Sequence, residues 1–390
     1  MNQILMRKLL RCLCVSVLCA ILVAGLWPFH APKNAVSWLR NRNGLLFGDY
    51  GSILSSGEFS ASASQQGPCS LEVWLQPGAT FDSNDIVAFS KQQNLVQFAL
   101  AQSGDDLFVV RNVVDEQRRL RSAHLAVDHA FREGNKLLIT VTSGQQGTAV
   151  YLNGVLVKTA PNFAFTGKDF NGVLLIGNSP VQNNTWGGQL WGLGIFDHEL
   201  TTVQVAQHYD SWAKGLGSQL VGTEGTRALY LFKEGEGAVV HNEVTSQPDL
   251  QIPSQYFVLH KKFLEPFWEE FRPNWTFAQN VILNIVAFVP LGFFCCAYFS
   301  SVKALNRPRL VAIILGSAVS LTIELLQAYL PTRESGTLDI ITNTTGTAVG
   351  AMLYGSHVVR ALLAKAGWRT SKGSMSRMDS QSAPPVLLRD

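Results

Sequence analysis

Apolar residues are distributed along this chain in two patterns. Runs of about 20, the length that crosses the hydrocarbon core of a bilayer, occupy 9–27, 277–299, 310–331 and 338–364, and each predicts a transmembrane helix. Between the first and second runs, apolar and polar positions alternate instead, over 70–78, 85–91, 95–104, 106–112, 136–144, 148–160 and 173–178. These stretches end in Gly, Asn, Asp or Pro, which is the signature of strands closed by turns. Asn153-Gly154 predicts a tight hairpin, because both central residues of such a turn need positive φ. Many short strands with no helix between them predict a two-sheet sandwich. The expected fold class is therefore mixed: an all-α bundle of four transmembrane helices with an all-β sandwich inserted in it.

Composition agrees with a membrane protein. Of the 390 residues, 47% are hydrophobic and 15% are charged. A formal net charge of +3 provides no concentrated basic surface, so nucleic acid is not an expected partner. Of the six cysteines, Cys12, Cys14, Cys19, Cys69, Cys295 and Cys296, Cys69 alone falls in the sandwich segment. No internal disulfide can staple that segment, and its roughly 200 residues must hold together through their own core.

Orientation follows from the basic residues that gather on the cytoplasmic side of membrane helices. Arg7, Lys8 and Arg11 precede the first run, Lys303, Arg307 and Arg309 fill the turn between the second and third, and Arg360, Lys365, Arg369, Lys372 and Arg377 follow the fourth. Four crossings then put both termini in the cytoplasm and residues 28–275 outside. Lys33, Arg40 and Arg42 oppose this for the first run, which the later loops settle. That run is read as a signal anchor (1–30) rather than a cleaved leader, because Trp27, Pro28 and Phe29 make a poor small-residue cleavage site. The Ser-rich, basic tail 366–390 reads as disordered.

The apolar C-terminal third nevertheless carries polar groups. Glu324 and Gln327 share a face of the third helix, Asp339 and Asn343 a face of the fourth, and Asn280 and Asn284 enter on the second from the same side, by the spacing rules of a helix. A rise of about 1.5 Å per residue places them at similar depth in the outer half of the membrane, beneath the loop carrying Arg333. A charge at that depth costs several kcal/mol unless it is paired, so these groups form either a site or a buried network. Asn280, Gln327 and Thr344 suit interhelical hydrogen bonding. Glu324, Arg333 and Asp339 suit a site, since packing needs no charges. Gly316, Gly346 and Gly350 permit close helix approach.

Two resemblances follow from these residues. The order of strands, with "SLEVWLQPG", then "LLITVTSGQQGTAVYLNGVLV", "LLIGN" and "GGQLWGLGIFDHELTTVQVAQHY", resembles the laminin G/concanavalin A-like jelly-roll family over 45–255. That resemblance implies binding of glycans or protein partners, sometimes with calcium. The scattered Asp82, Asp85, Asp105, Asp106, Asp169 and Asp197 read as turn-formers, and no paired-carboxylate signature of a glycosidase is evident. Trp186 in "NNTWGG" is the candidate loop aromatic for stacking on a sugar, whereas Trp74, Trp191 and Tyr151 read as core. The pattern Asn284, Phe288, Pro290, Gly292, then Glu324 with Gln327, then Arg333, Asp339, Asn343, Gly346 and Gly350 resembles the VanZ-like membrane family over helices 274–365. Some members of that family are associated with resistance to glycopeptide antibiotics such as teicoplanin.

The expectation is a multi-pass protein of the bacterial cytoplasmic membrane, with lipid and an extracytoplasmic glycan or protein as partners. It is read as a binding protein rather than an enzyme, with no cofactor apart from calcium as an option in the jelly roll. The alternative is a membrane enzyme or lipid-binding protein acting on a lipid-linked cell-wall precursor, with Glu324 or Asp339 as base or cation ligand and Arg333 as phosphate clamp.

Overall fold

The structure is a computed structural model that describes residues 3–78, 83–91, 95–114, 120–223, 225–244, 247–271, 275–302 and 305–365. Asp82, Lys303 and the tail 366–390 lie outside the described residues. The chain forms two compact units. One comprises residues 28–262 and 328–334, and the other comprises 1–27, 263–327 and the residues from Ser335 on.

In chain order the elements are α1 (Gln3–Leu26), β1 (Val36–Trp38), β2 (Leu45–Phe47), β3 (Ile53–Ser55), β4 (Cys69–Pro77), β5 (Ser83–Lys91), β6 (Leu95–Ser103), β7 (Asp106–Val114), β8 (Leu120–Val127), β9 (Leu137–Gly144), β10 (Gly147–Leu152), β11 (Val155–Ala160), β12 (Val173–Ile176) and β13 (Gly188–Phe196). They continue as α2 (Thr202–Ala213), β14 (Thr226–Tyr230), β15 (Val239–Val240), β16 (Leu250–Gln251), α3 (Phe267–Glu270), α4 (Trp275–Ser300), α5 (Pro308–Gln327), α6 (Thr337–Gly355) and α7 (His357–Lys365).

The first unit is a sandwich of two antiparallel sheets. One runs β1-β2-β13-β4-β9-β10-β11, with β14 also on β13, and the other runs β15-β16-β3-β12-β5-β6-β7-β8. Period-two alternation sorts the side chains. Cys69, Leu71, Val73 and Leu75 of β4 join the core between the sheets, with Phe89, Phe98, Phe165 and Phe170. The Phe98 and Phe170 rings meet edge to face, 5.0 Å apart, a favoured arrangement for two aromatic quadrupoles. The Asn153-Gly154 turn joins β10 to β11 with φ of 51° at Asn153 and 81° at Gly154, as a tight hairpin requires. The outer face of β4 carries Glu72 and Trp74, and α2 covers it through Trp212 and Tyr209. That helix starts from a Thr201–Gln204 capping box, which satisfies two of its free N–H groups. Cys69 is buried in the core, where desolvation pushes its thiol well above the usual range, since burial disfavours the thiolate.

The second unit is helical. Among the described residues, three of its helices are long and apolar enough to cross a membrane: Ile4–Leu26, Trp275–Ser300 and Pro308–Gln327. The fourth expected run ends its first helix at Gly355 and resumes as α7, so α6 spans 19 residues and is less apolar. Its glycines bring α6 against α4. A Cβ at Gly346 would collide with the Ile285 carbonyl oxygen, and one at Gly350 with that of Val289. Such backbone proximity is open to glycine alone. The matched order of these contacts makes α4 and α6 parallel, while Gly316 beside Thr347 and Ser317 beside Thr344 make α5 antiparallel to α6. Arg7 at the start of α1 donates to the Ser301 carbonyl just past the end of α4, at 2.6 Å, so α1 runs against α4.

Candidate functional site

Several polar residues of the helical unit engage α6 and the turn that leads into it. Asn284 of α4 donates through Nδ2 to Asp339 Oδ1 at 2.7 Å. One turn on, Asn343 donates through Nδ2 to Ser320 Oγ of α5 at 3.0 Å. The Glu324 carboxylate is buried, and its Oε2 accepts the Gly336 N–H at 2.8 Å, while its backbone carbonyl accepts the Ser335 hydroxyl at 2.9 Å. Gly336 is the N-cap of α6 and has no side chain to cap with. Glu324 from α5 supplies the missing acceptor at a helix end where unpaired N–H groups and the helix dipole both favour an anion. Glu270 of α3 adds a second carboxylate there, its Oε1 accepting the Leu338 N–H at 3.2 Å. Loss of solvent raises the Glu270 carboxyl above the usual carboxylate range, and that N–H partly opposes the rise, because a hydrogen bond to the carboxylate favours its charged form.

The other residues predicted for this site are placed as follows. Gln327 turns away from α6 and donates to the Gly25 carbonyl of α1 at 2.7 Å. Arg333 lies in the 328–334 segment grouped with the sandwich unit, and its backbone N–H bonds the Leu330 carbonyl at 3.1 Å. Asn284, Asp339, Asn343 and Glu324 are brought to the first two turns of α6 and the residue preceding it. Asn343 Oδ1 is a buried acceptor without a hydrogen-bond donor among the described residues.

In the sandwich, Trp186 corrects an expectation. It is fully buried rather than displayed on a loop: its indole packs 5.7 Å from the Phe47 ring and donates through Nε1 to Gln102 Oε1 at 2.8 Å. A buried tryptophan needs such a partner for its N–H, and this one has no face left for a sugar.

Two arrangements escaped sequence reasoning because their members lie far apart in the chain. Glu72 on β4 is fully buried, receiving Trp212 Nε1 at 2.9 Å and Thr140 Oγ1 at 3.3 Å and lying 3.1 Å from His208 Nδ1. Asp105 and Asp106 at the β6–β7 turn meet His129, whose ring bonds the Asp105 carboxylate and whose backbone N–H donates to Asp106 Oδ1 at 2.8 Å. The imidazole partner lowers the Asp105 carboxyl, and that carboxylate raises the His129 ring above its usual value, each favouring the charged form of the other. Among the described residues these three form the one group close enough to hold a metal ion. Calcium needs six to eight oxygen ligands, whereas each carboxylate here already has an oxygen committed to His129, so this cluster does not fit that ion. Asp169 is neither a ligand nor a bare turn-former: it caps the turn at Thr166 and pairs with Arg111 Nε at 3.1 Å.

Residues 228–360 match the family model described as VanZ/LLP1, and residues 49–206 match that of the concanavalin A-like lectin/glucanases superfamily. The chain thus joins a region similar to VanZ/LLP1 proteins to a region similar to the concanavalin A-like superfamily. The VanZ match takes in α4, α5 and α6 with their polar residues and leaves out α1. No curated protein matches the chain. Among solved structures the chain is similar to a SAP-like pentraxin from Limulus polyphemus at 17% identity and a TM-score of 0.32, covering 46% of this chain and 82% of that one. It is similar to the receptor binding domain of botulinum neurotoxin D at 14% identity and a TM-score of 0.33, covering 45% and 46%. A putative carbohydrate binding protein from Bacteroides ovatus ATCC 8483 matches at 13% identity and a TM-score of 0.36, covering 57% and 58%. The chain therefore spans about half the length of the last two.

Proposed function

We propose that this VanZ-like chain is a recognition protein of the bacterial envelope, anchored by its helices and binding an extracytoplasmic glycan or protein through its concanavalin A-like domain. The observation that carries this reading is the joining, in one chain, of a lectin-superfamily domain to three helices of membrane-spanning length. In this account α6, about 28 Å long at 1.5 Å per residue, is the fourth crossing, both termini are cytoplasmic, and the sandwich is outside. Aromatic residues support the membrane boundary. Trp27 just past α1, Trp268 of α3 and Trp275 at the start of α4 are all well exposed, as befits rings seated at a lipid headgroup layer. A role in the response to glycopeptide antibiotics such as teicoplanin would follow from binding of cell-wall glycan, and it belongs to the proposal.

The experiment is co-sedimentation of the detergent-solubilised full chain with purified cell-wall sacculi, beside a chain in which a short linker replaces residues 45–255. The full chain is expected to sediment and the shortened one to stay in solution; equal sedimentation of both would remove the domain from the function.

A second reading, action on a lipid-linked cell-wall precursor, is favoured by the buried Asn343 acceptor one turn from Asp339. It ranks below the first because Glu324, its main acid, has a structural task at the end of α6.

A further inference from the structure

On the outer face of the concanavalin A-like domain, α2, Asp197 and His198 just past β13, and Gln219, Leu220, Thr223 and Gly225 enclose a groove of about 650 Å³. That volume is in the range of small-molecule sites, roughly 300–1,000 Å³. Its lining is unlike a protein core. Among the described residues Leu220 is the one aliphatic side chain there, and Asp197, His198, Gln207, His208 and Ser211 line it with Gly225.

The groove is held open by specific features. Gly225 has φ of +81°, and a Cβ there would collide with both Asp197 Oδ1 and His198 Nδ1. Any other residue would fill the space between that carboxylate and that imidazole. His208 is fixed from behind: Nδ1 faces the buried Glu72 carboxylate, which Trp212 and Thr140 also hold. With Nδ1 taken by Glu72, Nε2 is the ring nitrogen left for a ligand. Gln207 is exposed on the same helix, and one turn along it the Ser211 hydroxyl donates to the Gln207 carbonyl at 3.1 Å, which leaves its lone pairs to accept.

We propose that this groove binds a neutral, hydroxyl-rich ligand, a sugar unit of a glycan chain; the inference rests on the recognition function above and locates it. Hydroxyl groups both donate and accept. They match a lining that mixes the Asp197 carboxylate and the His208 ring nitrogen with the Gln207 amide, which both donates and accepts. A phosphate is a poor match, because no Lys or Arg lines the groove among the described residues, and phosphate sites draw on such cations. An apolar ligand would leave the polar lining without partners. The site lies on the α2 side of the sandwich and does not involve the Asp105–His129 cluster.

The test uses the full chain in lipid nanodiscs, titrated calorimetrically with chitobiose, cellobiose, maltose and lactose, and with inorganic phosphate as a control. Saturable binding of at least one disaccharide is expected, weakened at least tenfold by Gln207→Ala combined with Ser211→Ala. Neither residue is buried, so the variant keeps its fold, which circular dichroism verifies. Gly225→Ala is expected to weaken binding in the same sense. If wild type and the double variant bind a disaccharide equally, the groove is not the site although the recognition function stands. If no disaccharide binds, or phosphate alone does, the groove's assignment to sugar is overturned.

Discussion

Glu324 Oε2 accepts the N–H of Gly336 at 2.8 Å, so that a side chain from α5 caps the start of α6. Capping interactions of this kind are worth about 0.5–2 kcal/mol. Glu324→Ala is expected to lower the thermal midpoint of the detergent-solubilised protein. Glu324→Gln, which keeps an oxygen acceptor, is expected to lie close to wild type. Equal losses in the two variants, followed by circular dichroism, would mean that the charge matters and not the cap.

Gly346 meets the Ile285 carbonyl so closely that no side chain fits between α4 and α6. Gly346→Ala should destabilise the helical unit by about 1–3 kcal/mol, the usual cost of overpacking. The thermal midpoint in detergent reads this directly, and the sandwich should be unaffected.

Trp186→Ala removes a fully buried indole and its bond to Gln102. It should cost about 3–5 kcal/mol of domain stability. Trp186→Phe keeps most of the packing and should cost less, chiefly through the orphaned Gln102 oxygen. Urea unfolding followed by fluorescence separates the two. A variant that stays fully stable but loses ligand would restore Trp186 to the binding surface.

Burial pushes the Asp85 carboxyl up to about 6, against a hydrogen bond from Ser179 that lowers it. Because its folded value exceeds the unfolded one, the unfolded chain ionises first. The domain therefore loses stability as pH rises from about 4 to about 6 and keeps that deficit above. Asp85→Asn should abolish this part of the pH dependence and stabilise the protein at pH 7 by on the order of 1–2 kcal/mol. Unfolding measured from about pH 4 to 8 checks the sign: a variant less stable than wild type at neutral pH would contradict it.

Much of the fold was legible in the sequence because its long strands have one face in a core. The stretches 70–78 and 106–112 became β4 (69–77) and β7 (106–114), and the positive φ at Asn153 and Gly154 was implied by residue type alone. Short strands such as β1, β15 and β16 carry too few residues for any period to show. In β8, Arg121, Ser122 and His124 break the apolar pattern along an exposed sheet edge. The helical unit was legible as apolar runs, but helix periodicity says only which residues share a face. It could not reveal that Glu324 would spend an oxygen on a backbone N–H, or that Gln327 would reach Gly25 of α1. Trp186 was misplaced because a Gly- and Asn-rich flank reads as a surface loop even where its aromatic turns inward. Glu72 with His208, and Asp105 with His129, are separated by 136 and 24 residues, and nothing local marks either pair.

The central claim, a recognition domain displayed outside the membrane by VanZ-like helices, is tested most directly by labelling. Cys69 is buried in the sandwich core, and the other five native cysteines sit in apolar helices. A cysteine placed at the exposed Lys158 of β11 therefore reports on the domain surface. In intact bacterial cells expressing Lys158→Cys, a membrane-impermeant maleimide is expected to label the protein as fully as it does after permeabilisation. Labelling only after permeabilisation would put the domain in the cytoplasm and contradict the account.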